Sequence, residues 1–206
     1  MTQNAQNTVK KAYHHGDLRQ QLIHQAAKMI REEGEAALSM RKLAAQLGVS
    51  RTAPYHHFED KQALLCAIAE EGFRLFDEHG LEGKRYENIE NYLSHHIRSY
   101  VFFAVENSEY YDLMFGGQIW KAEGGLTQSL KERSYKVFRT YTEHMTKLTE
   151  GMLPEGVTPL RFAQVTWSTM HGLSRLMIDG IYVEREAIEG MCDASVKVLL
   201  QNLKLT

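Results

Sequence analysis

Proline is scarce in this chain. Pro54, Pro154 and Pro159 are the only three in 206 residues, so residues 55–153 hold none and leave room for long helices. The β-branched aliphatics are also outnumbered: Val (10) and Ile (9) stand against Leu (22) and Ala (17), a balance that favours helix over strand. No stretch alternates apolar and polar residues between hairpin turns, and no internal repeat is present. Long apolar runs are missing too. Runs such as Tyr100–Val105 and Leu64–Ala69 are far too short, which excludes a membrane-spanning helix. Residues 1–17 are polar and lack the apolar core of a secretory signal, so a cytoplasmic protein is expected. The two cysteines, Cys66 and Cys192, are too far apart for a metal knuckle or redox motif, and read as reduced core thiols. With 43% hydrophobic and 24% charged residues the chain is neither disordered nor of low complexity.

What is present is an uneven spread of charge. The formal net charge is −2, yet residues 1–57 carry eight Lys/Arg against Asp17, Glu32, Glu33 and Glu35, and the rest of the chain is acidic. A basic end on an acidic body suits contact with a polyanion, although so small an excess also arises by chance.

The first sixty residues hold three short helical signals. Asp17 can cap a helix from Leu18, with Leu22, Ile23, Ala26, Ala27 and Ile30 on one face and Gly34 as its stop. Ser39 caps a second, Met40–Leu47, whose inner face is Met40, Leu43, Ala44 and Leu47. Gly48 then supplies a positive-φ turn, and Ser50 opens a third helix, Arg51–His57. The spacing is that of a helix-turn-helix, in which the second helix of the pair enters the major groove; an ordinary αα-hairpin is the alternative. Arg51, Thr52, Tyr55, His56 and His57 can all donate hydrogen bonds to phosphates or base edges, an extravagant use of a helix that is merely buried. Pro54 falls in the first turn, where little bonding is lost, and can point inward.

The run from Ser39 to Leu65, with its Tyr55-His-His-Phe58-Glu-Asp-Lys61 element, resembles the DNA-binding domain of the TetR family of bacterial transcriptional regulators. The resemblance covers about residues 14–70. It implies DNA contacts at Ser39 and Arg41 of the second helix, at Ser50, Arg51, Thr52, Tyr55, His56 and His57 around the third, and at Lys61, where a fourth helix begins whose free N–H groups can receive a phosphate. Phe58 is expected in the core. Pro54 departs from the commoner bulky aliphatic, which touches the tilt of the reading helix and not the motif. Lys10 and Lys11 read as part of a solvated tail, with an arm on the DNA as the alternative.

The acidic body reads as a helical bundle. Helices are expected over residues 61–79, over Tyr86–Val105 with Ile89, Leu93, Ile97, Tyr100 and Val101 inward, and over about Thr127–Met152, ended by Pro154 and Gly156. Gly116-Gly117 and Gly124-Gly125 bracket a loop around Trp120; no strand precedes them, so a phosphate loop is not indicated. Thr158 caps a helix from Pro159 that is apolar over most of its circumference, apart from a stripe of Arg161, Gln164, Ser168, Gly172, Arg175 and Asp179. A last helix covers about Glu184–Leu203. These two C-terminal helices read as a dimer-forming pair that meets its copy in a four-helix interface, with Phe162, Leu173, Leu176, Ile188, Met191, Val198 and Leu199 as candidate contacts. Trp167, His171 and Gly172 match the Trp-x-x-x-His-Gly element of one TetR subgroup, which Tyr13–Arg19 and Tyr110–Phe115 also resemble.

The resemblance implies an all-α protein: an N-terminal three-helix helix-turn-helix domain (residues 1–60) and a C-terminal helical effector-binding and dimerisation domain (61–206). It further implies a homodimer on a near-palindromic double-stranded operator, with reading helices about 34–36 Å apart, released when the body binds a small apolar or aromatic effector. A regulator without an effector, or an activator, is the alternative. Candidate pocket residues are Phe102, Tyr111, Met114, Phe115, Phe138, Tyr141, Met145, Trp167, Met170 and His171, side chains that equally well fill a core. His171 either meets an effector or bonds a neighbouring helix. His95, His96, His144 and His171 have no spacing that fixes a metal, so neither metal nor other cofactor is expected. No nucleophile–base arrangement suggests an enzyme.

Overall fold

A computed structural model describes residues 15–80, 85–122, 125–181, 184–201 and 203–204. Among them every regular element is helical, and the chain divides into a first unit ending at Lys61 and a second starting at Gln62.

In the first unit, α1 (His15–Glu33) buries Leu18, Leu22, Ile23, Ala26, Ala27 and Met29 on one face. It begins at His15, before the expected Leu18. Gly34, at φ 82°, ends it, and its N–H bonds the Ile30 carbonyl. The next helix, α2 (Met40–Gln46), starts at Ser39, whose hydroxyl accepts the Lys42 N–H at 3.2 Å. Such a cap contributes about 1 kcal/mol. Met40, Leu43 and Ala44 turn inward as the spacing requires.

The expected third helix takes another form. Residues 51–52 make a turn, and Ala53–His56 is a 3-10 turn with Pro54 buried. An α-helix from Arg51 needs an N–H at residue 54 for the Ser50 carbonyl. Proline has none, so the Ala53 N–H takes that carbonyl instead, at 3.0 Å.

The α3 helix (Lys61–Gly80), all but its first residue in the second unit, buries Leu64, Leu65, Ile68, Phe73 and Phe76. The α4 helix (Ile89–Glu106) begins at Asn88, whose side chain accepts the Asn91 N–H at 2.8 Å. Two short helices follow, α5 (Ser108–Phe115) and α6 (Gly117–Trp120), the latter within the expected Trp120 loop. Next, α7 (Gln128–Leu148) stops earlier than expected: the Thr149 hydroxyl bonds the Met145 carbonyl and Gly151 adopts φ 73°, so the helix is over before Pro154. The cap and proline start of α8 (Pro159–Asp179) are those read from the sequence, with the Thr158 hydroxyl accepting the Arg161 N–H. A 3-10 turn (Arg185–Ala187) leads into α9 (Ile188–Leu200).

In this unit α4 packs against α8 and α9, and α7 packs against α8. Arg98 of α4 pairs with Glu189 and Asp193 of α9. The Tyr141 hydroxyl of α7 donates to the Ala163 carbonyl of α8 at 2.9 Å. Cys66 and Cys192 are buried free thiols, and burial pushes Cys192 up to about 11.

The candidate contacts on α9 do not share one side of the helix. Ile188, Cys192, Val196 and Leu200 point into the unit, while Met191 and Val198 point out of it. On α8, Phe162 and Leu173 are also buried within the chain, whereas Leu176 is exposed. Residues 188 and 191 lie a 3-residue step apart, close enough to share a broad face but not the same side of it.

Candidate nucleic-acid interface and ligand cavity

The turn after α2 sets the reading surface. Gly48, at φ 66°, sends its N–H to the Ala45 carbonyl while the Val49 N–H reaches the Ala44 carbonyl, at 3.2 and 3.0 Å. This paired pattern closes a helix on a left-handed residue and redirects the chain sharply. The 3-10 turn that follows buries Pro54, and Phe58 is buried behind it, with the Arg19 guanidinium 5.4 Å from the Phe58 ring. Inward anchoring at 54 and 58 leaves 50–52, 55 and 56 facing water. Ser50, Arg51, Thr52, Tyr55 and His56 are exposed, Tyr55 by 55%, as are Ser39 and Arg41 on α2. His57 and Lys61 are half-buried.

The cations differ in commitment. Lys42 is paired with Glu33, and Lys61 donates to the Glu35 carbonyl at 2.9 Å. Arg41 and Arg51 have no acidic partner among the described residues, so their charge is available to a phosphate or to the edge of a guanine. The exposed Tyr55 offers a ring and a hydroxyl that suit the same kind of surface.

The second unit holds a partly open cavity of about 380 Å³. Phe73, Phe76 and Asp77 of α3 form one side, with His96 and Tyr100 of α4. The α7 helix contributes Ser134, Tyr135, Val137, Phe138, Thr140 and Tyr141. Phe115, Trp120 and Trp167 complete the wall. The rings hold one another: Phe76 meets Tyr100 edge-on at 5.4 Å, and Phe138 meets Trp167 at 5.4 Å. Such contacts add about 0.5–1.5 kcal/mol each beyond area burial and keep the wall stiff.

From the wall residues Trp167 and Tyr100 a chain of polar groups runs on to Tyr111 and His171. The Trp167 indole N–H donates to the Tyr100 hydroxyl at 3.0 Å, which lies 3.1 Å from the Tyr111 hydroxyl, which lies 2.5 Å from His171 Nδ1. Burial raises both tyrosines, Tyr111 to about 12, and lowers His171, so all three stay neutral around neutral pH. Trp167 and His171, one turn apart on α8, thus hold the Tyr100 edge of the cavity through these bonds. His96 sits between two rings, stacked on Tyr92 at 5.3 Å and on Tyr141 at 4.9 Å. Burial pushes it down to about 3, helped by His95 and His144, so it is neutral. Among the described residues no group of His, Cys, Asp and Glu is arranged to hold a metal ion.

Of the expected pocket residues, Phe115, Phe138, Tyr141 and Trp167 stand in the wall. Tyr111 and His171 stand in the polar chain that runs on from it. Met114, Met145 and Met170 are sealed in the core, and Phe102 is half-buried outside the wall. Phe73, Phe76, Asp77, His96, Tyr100 and the polar edge of α7 were not anticipated as wall. A usable signal existed: Ser134, Phe138 and Tyr141 share one face of α7, and Asp77 interrupts the apolar face of α3 one turn after Phe73.

Comparison with known proteins bears on both parts. Residues 22–68 match the family model for bacterial regulatory proteins of the tetR family. Residues 93–203 match the tetracyclin repressor-like C-terminal domain. The chain is similar to the class C tetracycline repressor protein of Escherichia coli, 42% identical over 52 residues, which is 25% of this chain and 24% of that protein. It is similar to the transcriptional repressor AcnR of Corynebacterium diphtheriae, 32% identical over 77 residues, 37% of this chain and 40% of that one. The matched stretch thus spans about a quarter of the length of the first of these relatives. A solved protein of unknown function from Rhodococcus sp. RHA1 superposes with a TM-score of 0.77 at 26% identity, covering 95% of this chain and 100% of that one. The structure of AibR in complex with isovaleryl coenzyme A and operator DNA shares the fold, with a TM-score of 0.67 at 19% identity over 87% of this chain and 96% of that one. No helix of the described residues is long and apolar enough to cross a membrane.

Proposed function

Because the chain belongs to the tetR family of bacterial regulatory proteins, we propose that it is a homodimeric, sequence-specific repressor of transcription whose hold on its operator is set by a small molecule in the cavity. The observation that carries this reading is the outward cluster on the first unit: Arg51, Thr52, Tyr55 and His56 exposed on a turn whose inward residues, Pro54 and Phe58, are buried. Residues 1–60 serve DNA, and residues 61–206 serve the effector and the second copy. The role is regulatory, not catalytic, and is exercised in the cytoplasm.

In this reading Arg51, Tyr55 and His56 meet base edges in the major groove, while Ser39, Arg41, Ser50, Thr52, His57 and Lys61 position the turn through phosphates. The AibR complex, a relative of the same fold that carries both operator DNA and an acyl coenzyme A, supports coupling of the two sites. A guest pressed against Phe73, Phe76 and Asp77 acts on α3, the helix that begins at Lys61. To release a mostly bound operator, the guest has to favour the released arrangement by several kcal/mol.

Dimerisation has its own support. Val165, Leu176, Met191 and Val198 are large apolar side chains exposed on α8 and α9. Between the first two lies Gly172, also exposed, with open space where a Cβ would stand, so another helix backbone can approach closely. Leu176, Met191 and Val198 are therefore kept as interface residues, with half-buried Leu199 beside them, while Phe162, Leu173 and Ile188 are core.

The test is selection of bound duplex from a random pool, followed by titration of the selected site with Tyr55→Ala and Arg51→Ala. Each substitution is expected to cost about 1–3 kcal/mol of specific binding while folding and dimerisation persist. Undiminished specific binding by both variants would overturn the contact assignment.

A further inference from the structure

The wall of the cavity has a sign. Nine of its fourteen residues are Phe, Tyr or Trp, and among the described residues none is Lys or Arg. The single formal charge is the carboxylate of Asp77. Asp77 makes no ion pair among the described residues, and Arg74, one turn earlier on α3, is already held by Glu71 and Glu78. Aromatic faces carry negative potential and attract cations. A carboxylate beside them adds to that potential, and a carboxylate partly withdrawn from water gains from a counter-charge. The one imidazole of the wall, His96, is neutral, so it does not oppose a cation.

We propose that the guest of this cavity is a lipophilic ammonium, its positive charge set against Asp77 and its aromatic or aliphatic body against Phe76, Phe138 and Trp167. The inference rests on the reading of the cavity as the effector site and names the chemical class that site takes. An acyl coenzyme A, the guest in the AibR structure, carries negative charge and finds no cation in this wall. The volume of 380 Å³ suits a compact ligand.

The experiment is calorimetric titration of the full chain with 1-naphthylmethylammonium, with its neutral carbon isostere 1-ethylnaphthalene, and with 1-naphthoate. The ammonium is expected to bind at least about tenfold more tightly than the isostere, with the carboxylate weakest. Asp77→Asn is expected to abolish that preference and to leave binding of 1-ethylnaphthalene unchanged, which shows the variant to be folded. Equal or tighter binding of the isostere or of naphthoate by the native chain overturns the ligand class while the effector reading stands. If none of the three binds, or if the bound ammonium leaves affinity for the selected operator unchanged, the effector reading falls and the proposal with it.

Discussion

His96 is the residue at which burial has its clearest cost. It lies between Tyr92 and Tyr141 and stays neutral because it is buried, with His95 and His144 adding repulsion. The unfolded chain protonates the same side chain below about 6.5. Its folded value is depressed to about 3, so between those two values the unfolded state binds the extra proton and stability falls as pH falls. The loss is about 1.4 kcal/mol per pH unit, or about 2 kcal/mol from pH 6.5 to about pH 5. Chemical denaturation of His96→Asn beside the native chain, at about pH 7.5 and about pH 5, is expected to show the variant losing about 2 kcal/mol less on acidification. Equal losses would mean that the folded protein protonates His96. Exposed Arg41 and Arg51 are the contrasting case: removing either should leave stability within about 0.5 kcal/mol, because neither is buried or paired.

At the scale of the element, α3 meets α5 through Gly72. A Cβ there would stand 2.7 Å from Met114 Sδ and 3.0 Å from Tyr110 Cβ. Met114 is fully buried and has little room to yield. Gly72→Ala gains about 1 kcal/mol of helix propensity but incurs about 1–3 kcal/mol of overpacking. A net loss of about 1 kcal/mol is expected, seen as a lower midpoint in urea at unchanged slope; a higher midpoint would show that α5 moves aside at no cost. Much at this scale was legible in the sequence. Ser39 and Thr158 accept the N–H bonds expected of caps, and Gly48 adopts the positive φ its place demands. These are local decisions, made by a few neighbouring residues. What escaped was decided elsewhere. The turn at 53–56 is 3-10 because one missing N–H shifts a hydrogen bond by a residue. The division of α9 into two apolar sides depends on which helices flank it, and the cavity wall depends on which faces of α3, α4 and α7 are brought together, neither of which a one-dimensional periodicity contains.

For the whole molecule the decisive surface is the apolar one on α8 and α9. Leu176 and Val198 are 39% and 62% exposed in the single chain. A charge placed there meets water in a monomer and a low-dielectric seam in a dimer. Leu176→Glu and Val198→Glu are therefore expected to weaken self-association by at least about tenfold, read as monomer by light scattering at micromolar concentration, with helical content unchanged and operator affinity reduced. Undisturbed dimers would place the interface on another face. The basic first section and the acidic body carry opposite signs through the same chain, which suits a protein that approaches a polyanion with one end only. One last property follows from the cavity. The chain has two tryptophans, and both Trp120 and Trp167 belong to its wall. The indole fluorescence of the protein therefore originates entirely beside the guest, and any compound that enters writes its arrival into the emission of an unlabelled sample.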